Sequence, residues 1–290
     1  MKEFAGKVVV ITGGASGVGR ALGIAFAQEQ AQVVLVDIRQ ETLDNTVAEL
    51  QAMGLLAVTG LQADVTNDGS MQALAEQCFS RFGAVHILFN NAGVGLGEAS
   101  RPLWTLPARD WEWGLAVNTL GAVNGIRAFV PRMLDSDEEC LVVNTSSGNG
   151  GITSLPTTPI YAASKAALTS LTETLHYQLL KVGAKVKAAV MFPGPHVINS
   201  GILASAQARP ERFSAVHTQP AKEYKSFHEL AAATGVTFDL TEPEEVAAYT
   251  LKAIKEDKFW IMPGDYNNTL DKLKRRTEDI LLRRTPAFPE

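Results

Sequence analysis

A tyrosine and a lysine stand four residues apart in the stretch IYAASKAAL, at 161 and 165, among small and apolar neighbours. The alanine-rich run predicts a helix, and four residues is about one turn, so Tyr161 and Lys165 share a face. A phenol and an ammonium so placed are either a surface pair or a tuned proton donor. A free phenol titrates near ~10, so service at neutral pH asks for a shift of about three units, roughly 4 kcal/mol. One ammonium at ~4 Å in an effective dielectric near 20 supplies about that amount. A single lysine is enough. Other polar groups interrupt apolar runs elsewhere: Ser146 and Ser147 in NTSSGNGG, and Asn118 inside WEWGLAVNTLGAVNGI.

Groups so far apart in sequence need a scaffold that brings loop ends together. Six short β-branched runs alternate with helical segments, at 7–11, 31–37, 55–64, 86–90, 140–146 and 185–192. Runs apolar throughout suit parallel strands covered on both faces, and the alternation predicts right-handed βαβ units. The expected fold is a single α/β domain over 1–290, a doubly wound parallel sheet with ligands at the carboxyl ends of its strands. Two regions look added: a mixed segment at about 195–240, with Phe213, Tyr224, Phe227 and Phe238, and a tail at about 265–290 carrying the amphipathic LDKLKRRTEDILLRR.

The first predicted strand runs straight into TGGASGVGR, then a helix. Gly13, Gly17 and Gly19, with Ser16 and Val18 between them, form a turn that lets the backbone approach a pyrophosphate at a helix N-terminus. There is no GxxxxGK, so a P-loop is excluded. The second strand ends at Asp37, beside Ile38, where a carboxylate can accept both hydroxyls of an adenosine ribose. A 2′-phosphate would meet Asp37 as a like charge, so NAD is favoured over NADP. Arg39 is the counter-evidence, a cation within reach of such a phosphate. Asp64 and Val65, after the third strand, suit contact with the adenine, although Asp64 serves equally well as a helix cap. Asn91, Ala92 and Gly93, ending the fourth, suit lining the cofactor or locking the strand.

Composition narrows the alternatives. With 26 Lys+Arg against 31 Asp+Glu the net charge is −5, and no basic stripe is interleaved with aromatics, so no nucleic-acid partner is expected. The two cysteines, 78 and 140, form no CxxC, and the histidines (86, 176, 196, 217, 228) show no metal-ligand spacing. No metal, no signal peptide and no membrane span are expected, which fits a cytoplasmic protein.

Taken together, the motifs resemble the short-chain dehydrogenase/reductase family. They are TGxxxGxG at 12–19, NNAG at 90–93, Asn118 seven residues after Trp111, Ser-x-x-Gly at 147–150, YxxxK at 161–165 and Pro193-Gly194, in family order over roughly residues 5–200. The resemblance implies that Tyr161 is the general acid/base and that Lys165 is its electrostatic partner and ribose ligand. It implies that Ser147 hydrogen-bonds the substrate oxygen and that Asn118 holds a water in the proton relay. Ser147 is preferred because Ser146 would point to the opposite face of the strand end. Pro193, Gly194 and Val197 would line the nicotinamide, and Ser200 takes the place of the family's threonine after PG. His196 is given no catalytic role. The resemblance also implies a homotetramer, or a dimer, paired through the helices at 118–133 and 161–180.

The implied activity is hydride transfer between NAD(H) and a secondary alcohol or ketone. A non-catalytic dinucleotide sensor is the alternative, but it has no need of Ser147, Tyr161 and Lys165 together. A sugar-nucleotide epimerase would show TGxxGxxG and a longer substrate domain. Residues NSGILASAQARPERFS and the charged tail are similar to a bacterial subgroup that includes the Cα-dehydrogenases of lignin-derived aryl ethers. Leu96, Trp104, the 148–151 run and the aromatics of 195–240 suggest a roomy apolar pocket for a bulky hydrophobic or aromatic substrate. The same aromatics would equally serve to anchor the segment to the sheet.

Overall fold

Five of the six predicted runs form strands buried along nearly their whole length, as the middle of a parallel sheet requires, and the run at 55–64 forms a half-buried edge strand. The computed structural model describes residues 1–99, 101–214, 224, 226–264 and 266–286. His217 and parts of the 195–240 segment and of the tail therefore lie outside the described residues. In chain order the first half comprises β1 (Val8–Thr12), α1 (Gly17–Gln28), β2 (Gln32–Asp37), α2 (Gln40–Ala52), β3 (Val58–Gln62), α3 (Asp68–Phe82) and β4 (Ile87–Asn90). Then come α4 (Ala108–Leu115), a π-type turn at Ala116–Leu120, α5 (Gly121–Asp135), β5 (Cys140–Thr145), α6 (Pro159–Lys181) and β6 (Val186–Met191). The rest includes β7 (Val197–Ile198), α7 (Phe227–Thr234), β8 (Leu240–Thr241), α8 (Pro243–Lys255), β9 (Trp260–Ile261) and α9 (Asn267–Leu281).

Seven strands pair in the order β3-β2-β1-β4-β5-β6-β9, and all of these pairs are parallel. Successive side chains of a strand point to opposite faces. Val9, Ile11, Val33 and Leu35 therefore pack with residues of α1, α2 and α8, whereas Val8, Val10, Val34 and Val36 pack with residues of α3, α5 and α6. Strand order reverses between β1 and β4, the crevice where such sheets bind ligands.

Two features depart from the sequence reading. The seventh strand, β9, was not anticipated: Trp260 and Ile261 follow the charged run KEDK, and two residues are too short to show a period. The segment after β6 is not one long loop. It carries β7, paired in parallel with β8, a 3₁₀ helix at Gly201–Ala208, another at Glu211–Phe213, and α7.

Candidate active site

A cleft of about 1230 Å³ opens at the carboxyl ends of the strands. Its dinucleotide side starts at the turn after β1. Gly13 has φ +64°, and a Cβ there would lie 2.9 Å from the Cα of Ala92. Gly19 packs against Gly13's carbonyl oxygen, so the turn closes only with glycines. The N-terminus of α1 has no side-chain cap and no acidic residue in its first turn. Its amide groups, with Ser16, Gly17 and Val18 on the cleft wall, suit an anion. Thr12 ties this turn to β4: its hydroxyl accepts from the amides of Asn91 and Ala92 at 3.0 and 3.1 Å. Asn91's side chain in turn donates to Thr12's carbonyl at 3.0 Å, so Asn91, beside Ala92 and Gly93, both lines the cleft and locks the strand.

Asp37 is almost wholly buried and accepts the Arg39 amide at 3.1 Å and the Ala15 amide at 3.4 Å. Two amides leave carboxylate lone pairs for further donors. Arg39's guanidinium lies 3.8 Å from the same carboxylate. Ile38 and Val65 share this wall. Asp64 lines the cleft beside Val65 but is not the helix cap, because Asn67 caps α3 through Ser70's amide. Asp64 instead accepts from Thr66 and, at 2.7 Å, from Arg212 of the segment after β6. Burial raises its pKa, but the Thr66 and Arg212 bonds prevail and hold it below the ordinary value. At the far end of the cleft, Pro193, Val197 and Ser200 line the wall. Asn199 turns away to Glu242. The glycines, uncapped helix and ribose-level carboxylate fit a dinucleotide.

The reacting groups converge on the opposite wall. Tyr161 lies in the first turn of α6, and Lys165 one turn on is 2% exposed. Its Nζ donates to the Thr145 carbonyl at 2.7 Å and stands 5.6 Å from the centre of the Tyr161 ring. Ser147 follows β5; its hydroxyl accepts the Asn149 amide at 3.2 Å and lies near enough to the Tyr161 phenol to pull its pKa downward. Ser146 is buried, and its hydroxyl bonds to α6, donating to the Lys165 carbonyl at 3.0 Å.

Two expectations change. Lys165 does not bring the phenol down: burial raises Tyr161, with Ser147 pulling the other way. The lysine is itself buried, which pushes it down to about 8, and its bonding goes to Thr145. Asn118 lies behind the cleft, 1% exposed. Its two N–H donors go to the Val94 carbonyl and Ser164 hydroxyl, both at 3.1 Å, and its oxygen accepts the Val94 amide at 2.8 Å. The side chain has no donor left for a relay water. Ser164 donates onward to the Tyr161 carbonyl at 2.7 Å, so Asn118 braces the turn that bears the phenol.

Three features escaped the sequence. Tyr266, at the head of α9, is buried in the cleft wall. Its hydroxyl lies where a Gly148 side chain would be, and a Cβ on Gly194 would sit 2.6 Å from its ring. Burial pushes its phenol up to about 12. Arg209 pairs with buried Asp110 at 2.7 Å and lies 4.8 Å from the centre of the Trp113 ring, tying the segment after β6 to α4. Glu98 is the third, a lone acid in the apolar GVGLGEAS whose setting only the fold reveals. On the substrate side Leu96, Leu155, Leu203, Phe227, Leu230 and Phe238 line the cleft. Trp104 does not: it is 84% exposed and lies outside. Phe213 packs against the cluster of Val94, Trp113 and Val117. The aromatics thus divide between lining and anchoring. Among the described residues no cluster of His, Cys, Asp and Glu could hold a metal, and no helix is long and apolar enough to cross a membrane.

Comparison with known proteins gives a consistent set of relatives. The family described as short chain dehydrogenase matches residues 7–211. A CLA biosynthesis dehydrogenase/reductase of Lactiplantibacillus plantarum is 31% identical over 286 residues, covering 96% of each chain. A C alpha-dehydrogenase of a Sphingobium species is 30% identical over 283 residues, 97% of this chain and 87% of the relative. A short chain dehydrogenase/reductase from Burkholderia phymatum, solved in complex with NAD, superposes with a TM-score of 0.88 at 39% identity, covering 100% of this chain and 99% of that one.

Proposed function

This chain belongs to the short chain dehydrogenase family, and from that premise we propose that it moves a hydride between NAD(H) and a bulky hydrophobic or aromatic secondary alcohol or its ketone. The reading is carried by one arrangement: Ser147 and the Tyr161 phenol side by side with a buried Lys165, on the wall facing a glycine turn. Relatives described as dehydrogenases lend no support to the alternative of a non-catalytic sensor. Bound NAD(H) would supply the hydride acceptor or donor. Gly13, Ser16 and Gly17 would hold its phosphates, Asp37 the adenosine ribose, and Lys165 the second ribose.

In our reading Tyr161 exchanges a proton with the substrate oxygen, which Ser147 holds through its free O–H. Asn118 contributes by bracing the turn, and a relay through it would use its backbone carbonyl. A screen combining NADH fluorescence with a panel of secondary alcohols tests the whole assignment. Absence of both binding and turnover would defeat it.

Asp37 supports NAD over NADP, because Arg39 is already paired with it and a 2′-phosphate would have to displace that contact. We expect kcat/KM to favour NAD(H) by about tenfold or more, a difference of ~1.4 kcal/mol. Asp37→Ser should narrow the gap. Native preference for NADP(H) would mean that Arg39 overrides the carboxylate.

The homotetramer remains our expectation, with a dimer next. Its support is the flat face of α6, where Ala163, Ala166, Ala167 and Ser170 are exposed, together with exposed Leu120 before α5 and Tyr177 and Leu180 on α6. Light scattering at micromolar concentration should report a multiple of 31.1 kDa, and a pure monomer would contradict it. Two buried, unpaired cysteines suit the proposed cytoplasmic setting.

A further inference from the structure

We propose that Glu98 is a positioning residue for Tyr161: its carboxylate, set across the N-terminus of α6, fixes the turn from which the phenol projects. The inference rests on the reading of Tyr161 as the acid/base. Glu98 lies in the loop after β4 and is 2% exposed. One carboxylate oxygen accepts the Ile160 amide at 2.7 Å, and the other accepts the Tyr161 amide at 2.9 Å. First-turn amides of a helix have no intrahelical acceptor and are ordinarily met by the N-cap side chain. Here the N-cap, Thr158, makes no such bond. Its hydroxyl accepts instead from Asn149 at 2.6 Å. Pro159 brings no amide hydrogen, as suits the first helical position. The two donors that remain are therefore served by a carboxylate 62 and 63 residues away in sequence.

One of those donors belongs to Tyr161 itself, so Glu98 grips the backbone of the acid/base and not merely its neighbour. Bonds from a carboxylate to amides are charge-assisted and directional, and the N-terminal field of α6 favours the negative charge. The Asp110 carboxylate of α4 opposes Glu98 and the Arg101 cation favours it, with burial the largest influence raising its pKa. Asp110 is in turn balanced by Arg209 at 2.7 Å, so the buried acids are not left as a bare like-charged pair.

The test is Glu98→Gln, which keeps the shape but puts an N–H₂ against one of the two amide donors. Carbonyl reduction and NADH binding would be measured as functions of pH, with Tyr161→Phe alongside. We expect kcat to fall by about 10- to 100-fold, as small misplacements of a reacting group do, with the KM for NADH within about twofold of wild type. The apparent pKa of the phenol-dependent limb should move upward, because a misplaced phenol loses the one neighbour, Ser147, that pulls it down. Loss of a nearby negative charge alone would move it downward, and a role confined to folding would leave it in place. Either of those results, or kcat within about twofold of wild type, overturns the proposal. If E98Q is too unstable to assay, E98D keeps the charge, shortens the reach by one methylene and carries the same readout. Tyr161→Phe separates the two failures: an active Y161F defeats the reading of Tyr161, whereas an inactive Y161F beside a normal E98Q defeats only the role of Glu98.

Discussion

Tyr161→Phe is expected to lower kcat by about 100- to 10,000-fold while NADH affinity is largely kept, the loss usual for a removed acid/base. By the relation of rate to barrier this is roughly 3–5 kcal/mol of transition-state stabilisation. The substitution removes one hydroxyl beside Ser147, and leaves the ring, Lys165 and the glycine turn in place. Lys165→Ala should instead harm both binding and turnover, because the proposed role of the ammonium includes holding the ribose. The direction of the phenol's shift adds a pH signature. Burial raises Tyr161, so at neutral pH the phenol keeps its proton. Ketone reduction, which needs that proton, should therefore fall as pH rises, while alcohol oxidation, which needs the phenolate, should increase. Stopped-flow or steady-state NADH absorbance under chemistry-limited conditions measures all of this. Retention of more than about a tenth of wild-type turnover by Y161F would remove Tyr161 from the mechanism.

The second large effect concerns substrate size. Leu96, Leu155, Phe227, Leu230 and Phe238 make one side of the cleft apolar. A buried methylene contributes up to about 0.8 kcal/mol. An aromatic or alicyclic ring should therefore exceed a methyl group by about a hundredfold or more in kcat/KM, even if only part of it is buried. A matched series of secondary alcohols of growing size, followed by NADH appearance, tests this. A flat series, or one favouring the smallest member, would mean that these side chains anchor the segment and do not read the substrate. Phe213 already behaves as an anchor against Trp113, and Trp104 plays no part in the cleft.

What the sequence revealed and what it withheld have physical causes. The five inner strands were legible because a parallel strand buried on both faces is apolar throughout, as in VVVIT and VVLVD. The glycine turn, Asp37, Ser147, Tyr161 and Lys165 were legible because each sits at a strand end or one turn into a helix, where local spacing determines position. Glu98, Arg209 and Tyr266 were not, because each reaches the site through a contact 60 or more residues away in sequence. Asn118 was found, but not the bonds its side chain makes: an amide in an apolar run announces burial, not its partners. The direction of Tyr161's shift was missed because arithmetic on a charge pair omits the cost of burying both members.

Tyr266 sets the order in which the protein becomes itself during synthesis. The turn that suits a dinucleotide is made within the first 20 residues, and Ser147, Tyr161 and Lys165 follow by residue 165. The ring that rests on Gly148 and Gly194 arrives a hundred residues later, after the last strand of the sheet. A chain still in synthesis thus carries Ser147, Tyr161 and Lys165 before it carries the side chain that backs Gly148. The cleft wall lacks its last residues until the start of α9 has been made.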